Sequence, residues 1–165
     1  LEGQTIFVDA NAILYHLQGL SPAAKEVFLL AEQKKLELIT TTRIIDEVIH
    51  KLLLIKAREK YGFTRKTIEK LRKDKAKVKL LAGDIDILFA FTKTIHLRIK
   101  TITNNDLRKL PKIMKSYGLL GSDSLIVMAM RKFKTQFLLT SDGDFENIEW
   151  VKLIPLLPAN QQAST

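Results

Sequence analysis

Short apolar runs alternate with amphipathic segments along this chain, and that alternation limits the folds it can adopt more than any other feature. Each run is four to six residues long, too short for a helix, and each contains β-branched or aromatic side chains. The runs are Thr5–Asp9, Leu36–Thr40, Leu97–Thr101, Gln136–Ser141 and Val151–Ile154. Strands that alternate with helices predict an α/β fold of three layers, with a central parallel sheet of four to five strands covered by helices on both faces.

The intervening segments have helical periodicity and recognisable ends. Ser21 and Pro22 are typical of a helix start, and Gly62 of a helix end. We expect Thr42 and Ser122 to cap two further helices and Pro111 to interrupt another. The first predicted helix begins at Asn11. The later ones cover about 22–35, 42–62, 64–81, 83–94, 104–117 and 122–132.

Length and composition exclude several classes of protein. A chain of 165 residues predicts one domain, which we expect to cover residues 1–158, with a basic helical segment at about 56–82 and a disordered tail at 159–165. The absence of cysteine excludes disulfide scaffolds, Cys-ligated zinc and thiol nucleophiles. The longest apolar run, Leu125–Met130, is far shorter than the roughly 18–20 residues of a membrane helix. Since no signal-peptide pattern is present, we expect a cytoplasmic protein without a membrane partner.

The positive charge is concentrated in one segment. Residues 51–82 contain twelve Lys and Arg against three acids, a net +9 that equals the formal charge of the whole chain. Such a segment suits a polyanionic partner, because Lys and Arg that contact phosphates release counterions. The alternative is a solvated helical arm of a heat-adapted protein. If RNA is the partner, we expect it to contact Arg65, Lys66, Arg72 and Lys73.

Acidic residues lie where predicted strands end. Asp9 ends the first strand, and Asp142 follows the fourth, with Asp144 two residues further on. Ligands of parallel α/β sheets bind beyond the carboxyl ends of the strands, where the strand order reverses. If the first and fourth strands are neighbours there, Asp9 and Asp142 face each other. Asp123 begins a buried helix, where the helix dipole favours a carboxylate.

Carboxylates gathered in this way repel one another. Two charges about 4 Å apart cost on the order of 4 kcal/mol at an effective dielectric constant near 20. Such a group of acids therefore takes up protons or holds a divalent cation. Oxygen ligands without cysteine, and with only three scattered histidines, favour Mg²⁺ or Mn²⁺ over Zn²⁺. A carboxylate-bound cation beside a phosphate-binding segment indicates phosphodiester hydrolysis.

Four motifs extend this interpretation over nearly the whole chain. They are Ile6–Asn11 (IFVDAN), Arg43–Val48 (RIIDEV), Gly118–Ile126 (GLLGSDSLI) and Leu138–Phe145 (LLTSDGDF). In this order they resemble the motifs of the PIN domain, a nuclease family that includes VapC-type toxins. The first resembles the family's opening strand with its acid, the second a helix that supplies a glutamate, the third the segment of the third acid, and the last the closing strand with its acid pair.

The resemblance implies a role for each site residue. The implied ligands of Mg²⁺ or Mn²⁺ are Asp9, Glu47, Asp123 and Asp142. Asp144 would be a secondary ligand or a water-positioning acid, and Asn11 and Thr140 would be polar groups behind the ligands. Helical periodicity does not choose between Asp46 and Glu47, and only the resemblance selects Glu47.

The function implied by the resemblance is that of a metal-dependent endoribonuclease. One or two ions would orient a water for in-line attack on phosphorus, leaving 5′-phosphate and 3′-hydroxyl ends. RNA as the substrate, a homodimer, and an inhibitory protein of the antitoxin type also follow from the resemblance.

Two other functions compete with the nuclease. A catalytically silent RNA-binding or ribonucleoprotein-assembly module could keep the same fold. A phosphatase similar to the haloacid dehalogenases would use Asp9 as its nucleophile, but it needs an acid at position 11, where this chain has Asn. No Gly-rich nucleotide loop and no G-x-S-x-G motif is present.

Overall fold

The computed structural model of the chain describes residues 1–156. The strands are β1 (Thr5–Val8), β2 (Glu37–Thr41), β3 (Arg98–Lys100), β4 (Phe137–Thr140) and β5 (Lys152–Pro155). The helices are α1 (Ala10–Leu17), α2 (Pro22–Glu32), α3 (Thr42–Tyr61), α4 (Thr67–Lys73), α5 (Lys75–Thr94), α6 (Asn104–Leu107), α7 (Leu110–Tyr117) and α8 (Gly121–Lys132). A 3₁₀ turn follows β4 at Gly143–Phe145.

The five strands form one parallel sheet in the order β3-β2-β1-β4-β5. β1 is central, with Phe7 opposite both Ile39 of β2 and Leu138 of β4. The strand order reverses between β1 and β4, so the chain folds outward in both directions from this pair. The three-layer α/β architecture and the proximity of the first and fourth strands are therefore confirmed.

The main core lies around the sheet. Ile6, Phe7, Val8, Leu138 and Leu139 have no solvent-exposed surface, as expected for central strands covered on both faces. Helices α1, α2, α3 and α8 contribute their apolar stripes to the same core. Burial of an apolar side chain stabilises by about 1.5–3 kcal/mol, so this layer holds the strand ends in fixed positions.

A second, smaller core lies under the basic segment. Ala57 of α3, Leu71 of α4 and Leu81 of α5 are buried together, and Tyr61 and Phe63 pack against them. We call the unit formed by residues 53–82 the basic arm. Its ion pairs include Lys77 with Asp74, and Lys60 with Asp84, just beyond the arm, at 2.9 Å.

The helix boundaries within the basic arm differ from those predicted. We expected one helix over 64–81 and another from Gly83, but the break falls at Asp74, whose side chain accepts from the Lys77 amide at 3.1 Å. Helix α5 continues through Gly83, at a cost of about 1 kcal/mol relative to Ala. The Asp74 carboxylate therefore caps the start of α5, and Gly83 does not interrupt that helix.

Three other predicted helix boundaries need correction. Thr41, one residue before the expected Thr42, caps α3 through its hydroxyl, which accepts from the Ile44 amide at 3.4 Å. Ser122 is inside the first turn of α8, and Leu120 occupies the cap position without a side-chain hydrogen bond. Pro111 lies in the first turn of α7, where its missing amide hydrogen costs nothing.

Two predictions concern the chain as a whole, namely the extent of the domain and the absence of a membrane-spanning helix. The tail expected at 159–165 lies outside the described residues, and the boundary at 158 stays a prediction. Within residues 1–156, no helix is both long enough and apolar enough to pass through a bilayer.

Candidate functional site

The candidate site lies at the carboxyl ends of β1 and β4, where the strand order reverses. This is the position at which parallel α/β sheets bind ligands. Asp9 follows β1 directly, and Asp142 follows β4 after one intervening residue. Glu47 is on the second turn of α3, and Asp123 is in the first turn of α8. Four sequence-distant carboxylates therefore come from four separate elements.

Asp9 is fixed on both of its oxygens. Its Oδ1 accepts from the Ala10 amide at 2.6 Å and caps α1, and its Oδ2 accepts from the Thr140 hydroxyl at 2.7 Å. Only 7% of the residue is exposed. Burial raises the pKa of Asp9, and the nearby charge of Glu47 adds to this rise, against the two hydrogen bonds and Lys51. The carboxylate is thus held in a position where its charge is poorly solvated.

Thr140 connects Asp9 to the second strand end. The Thr140 hydroxyl donates to Asp9 and accepts from the Asp142 amide at 3.1 Å. Asp142 Oδ1 in turn accepts from the Asp144 amide at 2.9 Å and caps the 3₁₀ turn. One buried hydroxyl therefore sets the spacing between two of the predicted ligands.

Asp123 faces the other acids from the helix layer. Partial burial raises the pKa of its carboxyl, and the charges of Asp142, Asp144 and Glu47 raise it further, while a hydrogen bond from Ser122 opposes the rise. That bond, from the Ser122 hydroxyl to Asp123 Oδ1, is 3.3 Å long. The acids thus interact electrostatically across the site, although they are far apart in sequence.

Glu47 faces the site, and Asp46 does not. Glu47 Oε1 lies 2.7 Å from Lys51 Nζ, one turn further along α3. The Asp46 side chain is 79% exposed and pairs with Arg43 at 3.2 Å. Of the two acids, only Glu47 lines the cavity described next, and its role as a ligand stays a prediction.

A cavity of about 100 Å³ joins these side chains. Its lining includes Asp9, Asn11, Glu47, Asp123 and Asp142. The remaining lining residues are Thr41, Arg43, Ile44, Lys51, Ser122, Leu125 and Ile126. Of the predicted site residues, Thr140 lies behind the cavity, bonded to Asp9, and Asp144 does not line it.

The order of these features along the chain matches one family throughout. The model of the PIN domain family matches residues 6–151. The chain belongs to the PIN domain family. The resemblance inferred from the four motifs is thus confirmed.

Proteins similar to this PIN domain include a ribonuclease and, in fold, a toxin–antitoxin complex. Ribonuclease VapC2 of Methanocaldococcus jannaschii is 24% identical over 156 residues, which are 94% of this chain and 97% of that protein. VapBC2 of Rickettsia felis, solved bound to a promoter DNA fragment, has a TM-score of 0.58 at 15% identity over 92% of this chain and 98% of that one. A toxin–antitoxin complex from Klebsiella pneumoniae has a TM-score of 0.54 at 15% identity, with coverage of 92% and 98%. PAE2754 of Pyrobaculum aerophilum has a TM-score of 0.55 at 18% identity, with coverage of 93% and 89%.

The donor set of the PIN domain cavity fits a hard divalent cation. The negatively charged side chains that could donate an electron pair to a metal there are carboxylates, the ligands that Mg²⁺ and Mn²⁺ prefer. Within residues 1–156, no three acidic or imidazole groups are already close enough to enclose an ion. Protein partners hold the acids instead, since Glu47 pairs with Lys51 and Asp142 accepts from a backbone amide. A cation would therefore replace some of these partners.

The four predicted RNA-binding residues lie on the basic arm, away from the cavity lining. Arg65 and Lys66 are in the loop between α3 and α4, and Arg72 and Lys73 are at the end of α4. All four are exposed, and Lys66 is 3.9 Å from Glu69. They form a basic surface next to the domain core.

Sequence reasoning did not select two basic residues of the cavity. Arg43 and Lys51 both line it, four residues before and four residues after Glu47. That spacing was the available signal, because residues four apart share one face of a helix. In the sequence, Arg43 belongs to the motif Arg43–Val48 and Lys51 to the basic residues of 51–82. Neither pattern marks a cavity residue.

Proposed function

We propose that this PIN domain is a metal-dependent endoribonuclease of the toxin–antitoxin type. The observation that carries the proposal is the cavity at the reversal of strand order, lined by carboxylates from β1, α3, α8 and the end of β4. The named relatives support RNA as the substrate and an antitoxin as a partner. A homodimer and a cytoplasmic location stay predictions.

Asp9, Glu47, Asp123 and Asp142 would hold Mg²⁺ or Mn²⁺. The bound ion supplies an activated water and stabilises the charge that develops on the leaving oxygen. Thr140 orients Asp9 by donating to it, so that the carboxylate lone pairs that remain are aimed at the cavity. Asp144, held by its amide to Asp142, adds negative charge beside the site and can orient a water.

The basic arm would hold the RNA strand. Its exposed Lys and Arg side chains contact phosphates without regard to sequence, which supplies affinity and not specificity. The only aromatic side chains at residues 53–82, Tyr61 and Phe63, pack against the small core. Base stacking is therefore not the main source of affinity.

The test compares single acid-to-amide variants in one cleavage assay. Labelled single-stranded RNA is incubated with Mn²⁺ and either the wild type, Asp123→Asn or Glu47→Gln. We expect each variant to lose at least about 100-fold in rate, because a ligand that stabilises transition-state charge contributes several kcal/mol. Asp46→Asn, on the same helix but exposed, is the matched control and retains cleavage. Equal rates for Asp123→Asn and the wild type would overturn the proposal.

A silent RNA-binding module is the second candidate, and one observation favours it. Lys51 already neutralises Glu47, and within residues 1–156 no acid cluster is preformed around an ion. This candidate predicts salt-sensitive RNA binding that does not change in Asp123→Asn, and no cleavage with Mg²⁺ or Mn²⁺. Growth arrest on expression, relieved by a small neighbouring gene product, would support the toxin.

A further inference from the structure

Helix α3 presents a row of alternating charges to the cavity. Arg43, Glu47 and Lys51 are spaced by four residues, and all three line the cavity. At 1.5 Å of rise per residue, the two cations are about 12 Å apart along the helix axis, with the acid midway between them. The row thus places one positive side chain on each side of a predicted metal ligand.

Beyond the apolar Leu54 and Ile55, the same side of α3 carries a further cation within the basic arm. Arg58 comes seven residues after Lys51, close to two full turns, and therefore lies on the same face of α3. Arg58 is exposed, and no carboxylate within residues 1–156 pairs with it. Lys51 and Arg43 are 42% and 49% exposed, so each can reach both the cavity and the solvent.

We propose that Arg43 and Lys51 bind the RNA phosphates on either side of the bond to be cut, and that Arg58 continues this phosphate track along α3 to the basic arm. The inference rests on the proposed function, since it assumes that RNA occupies the cavity. It assigns phosphate binding to three residues that lie outside the four predicted RNA contacts.

Charge balance supports this assignment. An approaching phosphate meets four carboxylates at the cavity, which repel it. Within residues 1–156, Arg43 and Lys51 are the only cations in the cavity lining. Lys51 also lowers the electrostatic cost of ionised Asp9. Glu47 is one of the residues that would hold the divalent cation, and with Glu47 so engaged the Lys51 ammonium would be free of its 2.7 Å pair and could turn to phosphate without leaving the cavity.

The competing explanation is that Lys51 only stabilises α3. A Glu followed by Lys four residues later is a favourable helix pair, and an exposed pair of this type contributes little. That explanation predicts no effect of Lys51 on RNA affinity or its salt dependence. Phosphate binding predicts both effects, so the two can be separated.

The experiment measures RNA binding without cleavage. Anisotropy of a fluorescent single-stranded RNA is followed over a range of salt concentrations in an Asp123→Asn background. We expect Lys51→Met, Arg43→Met and Arg58→Met each to weaken binding about three- to fivefold. Each should also reduce the slope of log affinity against log salt by about 0.7, as for one lost phosphate contact on a single strand. Lys115→Met, exposed on α7, is the matched control and should leave affinity and slope unchanged.

Two further measurements keep the inference falsifiable. Lys51→Arg should restore the slope, which a change in folding alone would not explain. Calorimetric titration with Mn²⁺ in the absence of RNA, with Asp123 intact, should show that Lys51→Met binds the ion at least as tightly as the wild type, because Glu47 is freed. An unchanged slope in Lys51→Met overturns the inference even if the wild type cleaves RNA. A lowered slope without any cleavage by the wild type supports the phosphate contacts of Arg43, Lys51 and Arg58, and it overturns both the proposed nuclease and the placement of those contacts around a bond to be cut.

Discussion

Replacing Thr140 with Val tests whether one hydroxyl positions the acidic site. Valine has nearly the same shape and suits a strand, so the substitution removes the hydroxyl and little else. The hydroxyl donates to Asp9 Oδ2 at 2.7 Å and accepts from the Asp142 amide at 3.1 Å. Thr140 is only 2% exposed, so water has little access to replace either bond.

The two bonds set the expected magnitude. A hydrogen bond to a charged group contributes about 1.5–3 kcal/mol, and a neutral one about 0.5–1.5 kcal/mol. We therefore expect Thr140→Val to lower the free energy of unfolding by about 2–4 kcal/mol. It should also weaken Mn²⁺ binding by about 10–100-fold, the usual effect of removing a group that orients a metal ligand. The hydrogen bond from the Thr140 hydroxyl lowers the pKa of Asp9 and so opposes the effect of burial. Its loss therefore raises the pKa of Asp9 further.

Thr40 provides a closely matched control. It is fully buried at the carboxyl end of the neighbouring strand β2, and its hydroxyl donates to the Val8 carbonyl at 2.8 Å. Thr40→Val should cost only about 0.5–1.5 kcal/mol and leave Mn²⁺ affinity unchanged. Urea denaturation gives the stabilities, and calorimetry gives the affinities. If both variants weakened Mn²⁺ binding equally, Thr140 would have no special role and the reasoning would be refuted.

The remaining predictions concern parts of the fold that do not line the cavity. The Asp106 side chain accepts from Lys132 at 2.6 Å and from the Thr103 amide at 2.9 Å, and these bonds hold its pKa below the ordinary value. The stabilising effect of the Asp106 carboxylate is therefore fully present above the unfolded pKa of about 4 and is lost progressively as the pH falls from there through the lowered folded pKa. Asp106→Asn should lower the melting temperature by its full amount at pH 7 and by steadily less as the pH is lowered from about 4 toward 2. Leu81→Ala, in the core of the basic arm, should cost about 2–5 kcal/mol, seen as faster hydrogen exchange in α4 and α5, and weaken RNA binding while Mn²⁺ affinity is kept.

The parallel sheet was predictable because each strand carries its own local signal. The central strands are short apolar runs, which are typical of strands buried on both faces, and the structure places Phe7 and Leu138 side by side without exposed surface. The alternation with helices then leaves few topologies. The helix break at Asp74 was not predicted, because the sequence of a lysine-rich segment does not distinguish a capping aspartate from a solvent-exposed one.

How well the sequence predicted the position of a side chain at the site differed from residue to residue. Asp9 and Asp142 follow strands, so their meeting depends only on which strands are neighbours. Glu47 could not be separated from Asp46 by periodicity, because the two point to adjacent sides of a helix whose apolar stripe excludes both. The hydrogen bond between Thr140 and Asp9 depends on the register of β1 against β4. The sequence pattern does not fix that register to within one residue.

Helix α3 belongs to both cores, and this explains how a separate basic arm could act on the site. Its first half packs Val48 and Leu52 into the main core and carries Glu47 and Lys51 at the cavity. Its second half packs Ala57 and Tyr61 into the core of the basic arm. Because the arm has its own packing, its surface charges can change without moving the carboxylates. Because one continuous helix joins the two units, a phosphate chain that binds the arm and follows the same face of α3 arrives at Glu47.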